Sequence, residues 1–101
     1  MEFTSTKPLP VGFFYKGQKI TQVTVRPVKV RDTIEAIEEL GPNVSDARMR
    51  IGIEARQVTF EGVPDNERST ELLLDLSDPD YRAVTDAIDE VEKKQLAPSD
   101  D

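Results

Sequence analysis

The feature that most narrows the fold of this chain is a change of period at Pro27. Ahead of it, Val11-Gly12-Phe13-Phe14-Tyr15 is β-branched and aromatic, Lys16-Gly17-Gln18-Lys19 supplies a glycine-containing loop, and residues 20–26 resume a strand-forming run. Val23 and Val25 alternate with Gln22, Thr24 and Arg26, the pattern of a sheet wet on one face. Pro27 closes the second strand, because it has no amide to donate. Beyond it, apolar residues recur at helical spacing. A lone hairpin is marginal in water, so its apolar face must rest on those helices. The expected fold is α+β: an N-terminal two-stranded antiparallel hairpin packed on three to four α-helices.

The expected boundaries follow from local signals. Residues 1–9 are polar and aperiodic around Pro8, which predicts a flexible arm. One domain over residues 10–96 is expected to hold the hairpin (10–27) and helices at about 32–40, 45–59, 70–75 and 78–95, followed by an acidic tail over 97–101. In the first helix Asp32 is placed to cap, Glu35 completes a capping-box spacing, and Ile34, Ile37 and Leu40 form the inward face with Val30 leading in. Gly41-Pro42 ends it. In the second, Ala47, Ile51, Ala55 and Val58 fall within an arc of about 80°. Met49, Ile53 and Phe60 make a further apolar line on roughly the opposite side. Two readings of that line stand: a helix buried on two sides, or a groove offered to a partner. The last helix is capped by Ser77-Asp78 and has Pro79 in its first turn, with Tyr81, Val84, Ile88 and Val91 facing inward.

A chain of 101 residues can bury one core without staples, leaving roughly 5–10 kcal/mol of net stability. It contains no cysteine and no histidine, so disulfides, thiolate nucleophiles, Cys/His zinc sites and Ser/His or Cys/His triads are excluded together. The expectation is a protein that is not an enzyme, with no catalytic, cofactor or metal site. The cluster Asp75-Leu76-Ser77-Asp78-Pro79-Asp80 invites a calcium reading, but it lacks the glycine and glutamate of an EF-hand loop, and helix capping explains it. No apolar run approaches the roughly 20 residues of a membrane span and no secretory pattern opens the chain, so no membrane contact and a cytoplasmic location are expected.

Charge is unevenly spread. The net charge is −7, yet residues 1–58 hold 9 basic and 7 acidic side chains while residues 59–101 hold 4 and 13. Between residues 3 and 31 there are six basic side chains and no acidic one. A basic hairpin and an acidic last helix could pair between copies, which makes a homo-oligomer an expectation. The same hairpin, with Phe13, Phe14 and Tyr15 nearby, could contact nucleic acid, the alternative being a small regulator; the acidic second part opposes this.

Taken in order, a short hairpin, Val23-Thr24-Val25-Arg26-Pro27-Val28-Lys29-Val30-Arg31-Asp32, a middle helix, and Leu76-Ser77-Asp78-Pro79-Asp80-Tyr81 opening a last helix make a recognisable series. Over roughly residues 8–92 it resembles the tail assembly chaperones of Mu-like phages. The resemblance implies a non-catalytic helper in the bacterial host cytoplasm, of phage or prophage origin. Such a helper binds the helix-rich tape measure protein and keeps it soluble for assembly of the tail tube. It also implies contact with the tail tube protein and with a longer, frameshifted form of the chain, for which Lys93-Lys94 is a suitable slippage point. On this reading Met49, Ile53, Phe60 and Phe13 offer apolar contacts to the client, and Arg26 and Arg31 polar ones. The middle helix departs from the family pattern, being interrupted by Arg48, Arg50 and Arg56.

Overall fold

The turn that starts the fold is two residues long. Lys16 and Gly17 have φ of 50° and 81°, the paired positive values that match the right-handed twist of a tight hairpin, and Tyr15 pairs directly with Gln18. A computed structural model describes residues 3–67 and 69–96. The acidic tail expected over 97–101 lies outside the described residues.

Strands β1 (Ser5–Tyr15) and β2 (Gln18–Val25) are antiparallel, and β3 (Val58–Phe60) adds to the far side of β2, giving a sheet of order β1-β2-β3. Helices α1 (Val30–Leu40), α2 (Asp46–Gln57), α3 (Thr70–Leu74) and α4 (Asp78–Leu96) complete an α+β architecture. The inner face of the sheet presents Val23, Val25, Val58 and Phe60 to Val84, Ala87, Ile88 and Val91 of α4, with Ala55 and Leu73 closing the core. Val23 and Val25 thus face inward as the alternation predicts. In α4, Val84, Ile88 and Val91 are buried and Tyr81 is half-buried, as expected.

Three expectations are corrected. The segment expected to be a flexible arm is strand from Ser5 onward, pairing Ser5 with Val25 and Pro8 with Gln22. A proline is tolerated there because β1 is an edge strand. The ladder then breaks: five steps along β1, from Pro8 to Phe13, match two along β2, from Gln22 to Ile20. In the resulting bulge the amides of Val11 and Gly12 leave the ladder and donate to Asp80 Oδ1 and Oδ2, both at 2.9 Å. Asp80, in the first turn of α4, is 1% exposed.

The helix expected over 45–59 ends at Gln57, and the next three residues become β3. Three residues are too few to separate period 3.6 from period 2, and the free edge of β2 decides the outcome.

Helix α1 is rolled away from the expected face: Ala36 and Asp32 are buried, while Val30, Ile34 and Ile37 are exposed. Two contacts set the roll. Its crossing with α2 is so close at Gly52 that a Cβ there would lie 2.6 Å from Leu40 Cδ1 and 3.6 Å from Ala36 Cβ. Asp32, expected as the cap, is instead the third residue of the helix; it accepts the Lys29 amide at 2.7 Å and is gripped by Arg26.

Candidate interaction surface

The structure separates the six candidate contact residues into three settings. Phe60 is fully buried on β3, and Phe13 of β1 meets it edge to face with centroids 5.3 Å apart. Phe60 therefore leaves the line expected with Met49 and Ile53, because the chain has already turned from helix to strand. Phe13 is part of the core contact and not an exposed apolar handle.

Arg26 is a structural staple. Its guanidinium meets Asp32 as a fork, Nη1 to Oδ2 at 2.9 Å and Nη2 to Oδ1 at 2.8 Å, while donating to the carbonyls of Pro27 and Arg56 at 2.8 and 2.7 Å. Gln57 Nε2 donates to the Arg26 carbonyl at 3.1 Å, so the end of β2, the start of α1 and the end of α2 are tied at one point. Burial pushes the Asp32 carboxyl up, but hydrogen bonds from Arg26 and the Lys29 amide outweigh it and leave its pKa below the ordinary value. Arg31, by contrast, is exposed on α1 and has no ion-pair partner among the described residues.

Met49 and Ile53 are half-buried on α2. Ile53 lines a groove of about 380 Å³ between α2 and α4. Val28, from the segment after β2, and Ile88, from α4, supply its other apolar walls; Arg50, Asp89 and Glu92 give it a rim of both signs. Glu54 stands at the groove, where its Oε1 accepts the Tyr81 hydroxyl at 2.5 Å. Burial pushes the Glu54 carboxyl up, against the opposing pull of Tyr81 and Arg50, and burial likewise raises the Tyr81 hydroxyl. Both groups are held toward their neutral forms, and the pair fastens α2 to α4. Among the described residues no three carboxylates converge closely enough to hold a metal ion.

The charge asymmetry of the sequence closes within one chain. Lys7 of β1 lies 2.7 Å from Glu90 of α4, and Ser5 donates to the same carboxylate at 2.9 Å. Hydrogen bonds from Lys7 and Ser5 hold the Glu90 carboxyl down at about 2. Lys16 and the Tyr15 hydroxyl both reach Glu67. Three of the basic side chains between residues 3 and 31, Lys7, Lys16 and Arg26, are thus held by carboxylates of their own chain. The hairpin and last helix, whose charges suggested pairing between copies, meet as neighbours in the monomer.

Sequence reasoning missed Val28 as a groove wall and the exposure of the α1 stripe. The signal for the first was present, since a valine between Pro27 and the helix start has no strand or helix partner of its own. Among the described residues, no helix is long and apolar enough to cross a membrane. Comparison with protein-family models, curated proteins and solved structures finds no match to this chain.

Proposed function

We propose that this protein is a non-catalytic tail assembly chaperone of the Mu-like phage type, which binds a tape measure protein and keeps it soluble until tail tube subunits assemble. The observation that carries the reading is the groove between α2 and α4, where Val28, Ile53 and Ile88 give apolar walls under a rim of Arg50, Asp89 and Glu92. Shallow apolar grooves with polar rims take amphipathic helices by their i and i+3 or i+4 side chains. A rim of mixed sign suits a client whose flanking charges alternate along a long helix. The sequence series over residues 8–92 that resembles this family supports the same reading.

The test is co-expression with a tape measure segment. The wild-type chain should raise the segment's soluble yield, and Val28→Asp and Ile53→Asp should each abolish that rise while leaving the urea midpoint of the chaperone within about 0.5 M of wild type. Soluble yield unchanged by the wild-type chain would overturn the proposal.

A further inference from the structure

Helix α1 carries an apolar stripe that no other described residue of its own chain covers. Val30, Ile34 and Ile37 are 81%, 49% and 45% exposed, and their spacing of four and three residues puts them on one face. This surface is separate from the lining of the α2–α4 groove, so a role for it goes beyond the chaperone reading and does not depend on it.

Charge indicates what covers the stripe. At 100° per residue, Arg31 and Glu38 project within about 20° of each other along the same edge of the stripe, about two turns and 10 Å apart. Neither has an ion-pair partner among the described residues, although Glu35 and Glu39 of the same helix both reach Arg56. The residue nearest the opposite edge is Thr33, which is uncharged.

A helix with opposite charges at the two ends of one edge is complementary to itself only when the second copy runs antiparallel. A two-fold axis crossing at Ile34 sets Ile34 against its own copy and Val30 against Ile37. It also brings Arg31 beside Glu38 twice, because that axis returns each edge to the same side of the seam. Parallel pairing would place the charged edge against the Thr33 edge and leave all four charges unmet. We infer that α1 pairs antiparallel with α1 of a second copy, through the seam Val30–Ile34–Ile37 and reciprocal Arg31–Glu38 ion pairs. With three apolar side chains per copy the contact is small, so the association is concentration-dependent and not obligate.

The chain contains no cysteine, which makes a crosslinking test unambiguous. In the full chain, Ile34→Cys should form a disulfide-linked dimer under mild oxidation, while Asp46→Cys, likewise exposed at the start of α2, should not. Sedimentation equilibrium of the wild type should show a monomer–dimer equilibrium that Ile34→Asp abolishes, with unchanged circular dichroism and urea midpoint. Glu38→Arg should weaken the dimer about tenfold, and Arg31→Glu combined with Glu38→Arg should restore it. A wild type that stays monomeric up to millimolar concentration overturns the inference, as does an Ile34→Asp variant that still dimerises. Failure of the charge swap to restore pairing overturns the antiparallel register.

Discussion

Removing the Asp80 carboxylate should be among the costlier single changes in this protein. The residue is 1% exposed, and its two oxygens accept the amides of Val11 and Gly12, 2.9 Å each, from a strand 68 and 69 residues earlier. A hydrogen bond to a charged group contributes about 1.5–3 kcal/mol net, and an amide left unpaired inside the protein costs about 1–3 kcal/mol. The Val11 side chain faces solvent and water can reach part of the bulge, so the two bonds together should be worth about 2–4 kcal/mol and not their full sum. For a domain with roughly 5–10 kcal/mol of stability and a urea slope near 1 kcal/mol/M, Asp80→Ala should lower the midpoint by about 2–4 M. Asp80→Asn keeps one acceptor but turns an NH2 toward an amide, so it should recover less than half of the loss. The control is Asp78→Ala, an exposed carboxylate in the same helical turn, which loses only a favourable dipole contact of about 0.3–1 kcal/mol. Urea unfolding followed by far-UV circular dichroism measures all three. An Asp80→Ala midpoint within about 0.5 M of the Asp78→Ala midpoint would show that the bulge holds itself without the clip.

The partner position gives a second handle. Gly12→Ala adds a Cβ 2.8 Å from the Ile20 carbonyl oxygen at a φ of +78°, so it should destabilise by about 1–3 kcal/mol, read in the same assay. Arg26→Ala leaves Asp32, 3% exposed, as an uncompensated buried carboxylate; a loss of about 3–5 kcal/mol is expected, with little recovery by Arg26→Lys because a lysine cannot reproduce the fork. Folding stability should also fall in acid. Asp32 and Glu90 have pKa values below their ordinary range in the folded chain, so their contribution is complete above about pH 5 and is lost as the pH falls through their folded values, about 2 for Glu90. Urea titrations from pH 6 to about 2 check this, and the Glu90 part should shrink in Lys7→Ala, leaving the share that Ser5 supplies. Glu54 has the opposite sign: its raised pKa favours the fold below the ordinary carboxylate range, and that advantage is lost as the pH rises through the folded value. Glu54→Gln should therefore be relatively more stable at pH 7 than at pH 4, and the reverse ordering would contradict the assignment.

Elements whose signals are local are legible in the amino-acid sequence. The turn at Gly17 and the start of α4 at Ser77 and Pro79 each depend on residues within a few positions. The groove residue Ile53 is legible as one of two apolar lines on α2. Elements decided at a distance are not. Residues 5–10 look aperiodic because their order comes from the pairing with β2 up to Val25 and from Glu90, both remote in sequence. Phe60 reads as part of a helical line because nothing in residues 58–60 announces the free edge of β2 that captures them. Arg26 reads as a surface contact because its partner Asp32 looks committed to capping; the carboxylate in fact serves both the Lys29 amide and the guanidinium.

Helix α1 shows most clearly what amphipathic spacing does and does not specify. The spacing of Val30, Ile34 and Ile37 says that an apolar face exists, not which surface will cover it. The roll of the helix is set elsewhere, by the Arg26 fork on Asp32 and by the fit of Ala36 against Gly52, and both hold the small-residue face inward. Once that roll is fixed, the stripe finds no cover among the described residues of its own chain. The charges follow the same logic. Acidic side chains of the second half are consumed in fastening the basic hairpin, through Glu67, Asp80 and Glu90, so the asymmetry along the sequence becomes a means of closing the monomer. Arg31 and Glu38 take no part in that closure. An apolar stripe and an unspent pair of opposite charges on one edge are together more specific than either alone, because of the two ways a copy of the same helix can lie along it only the antiparallel one satisfies both.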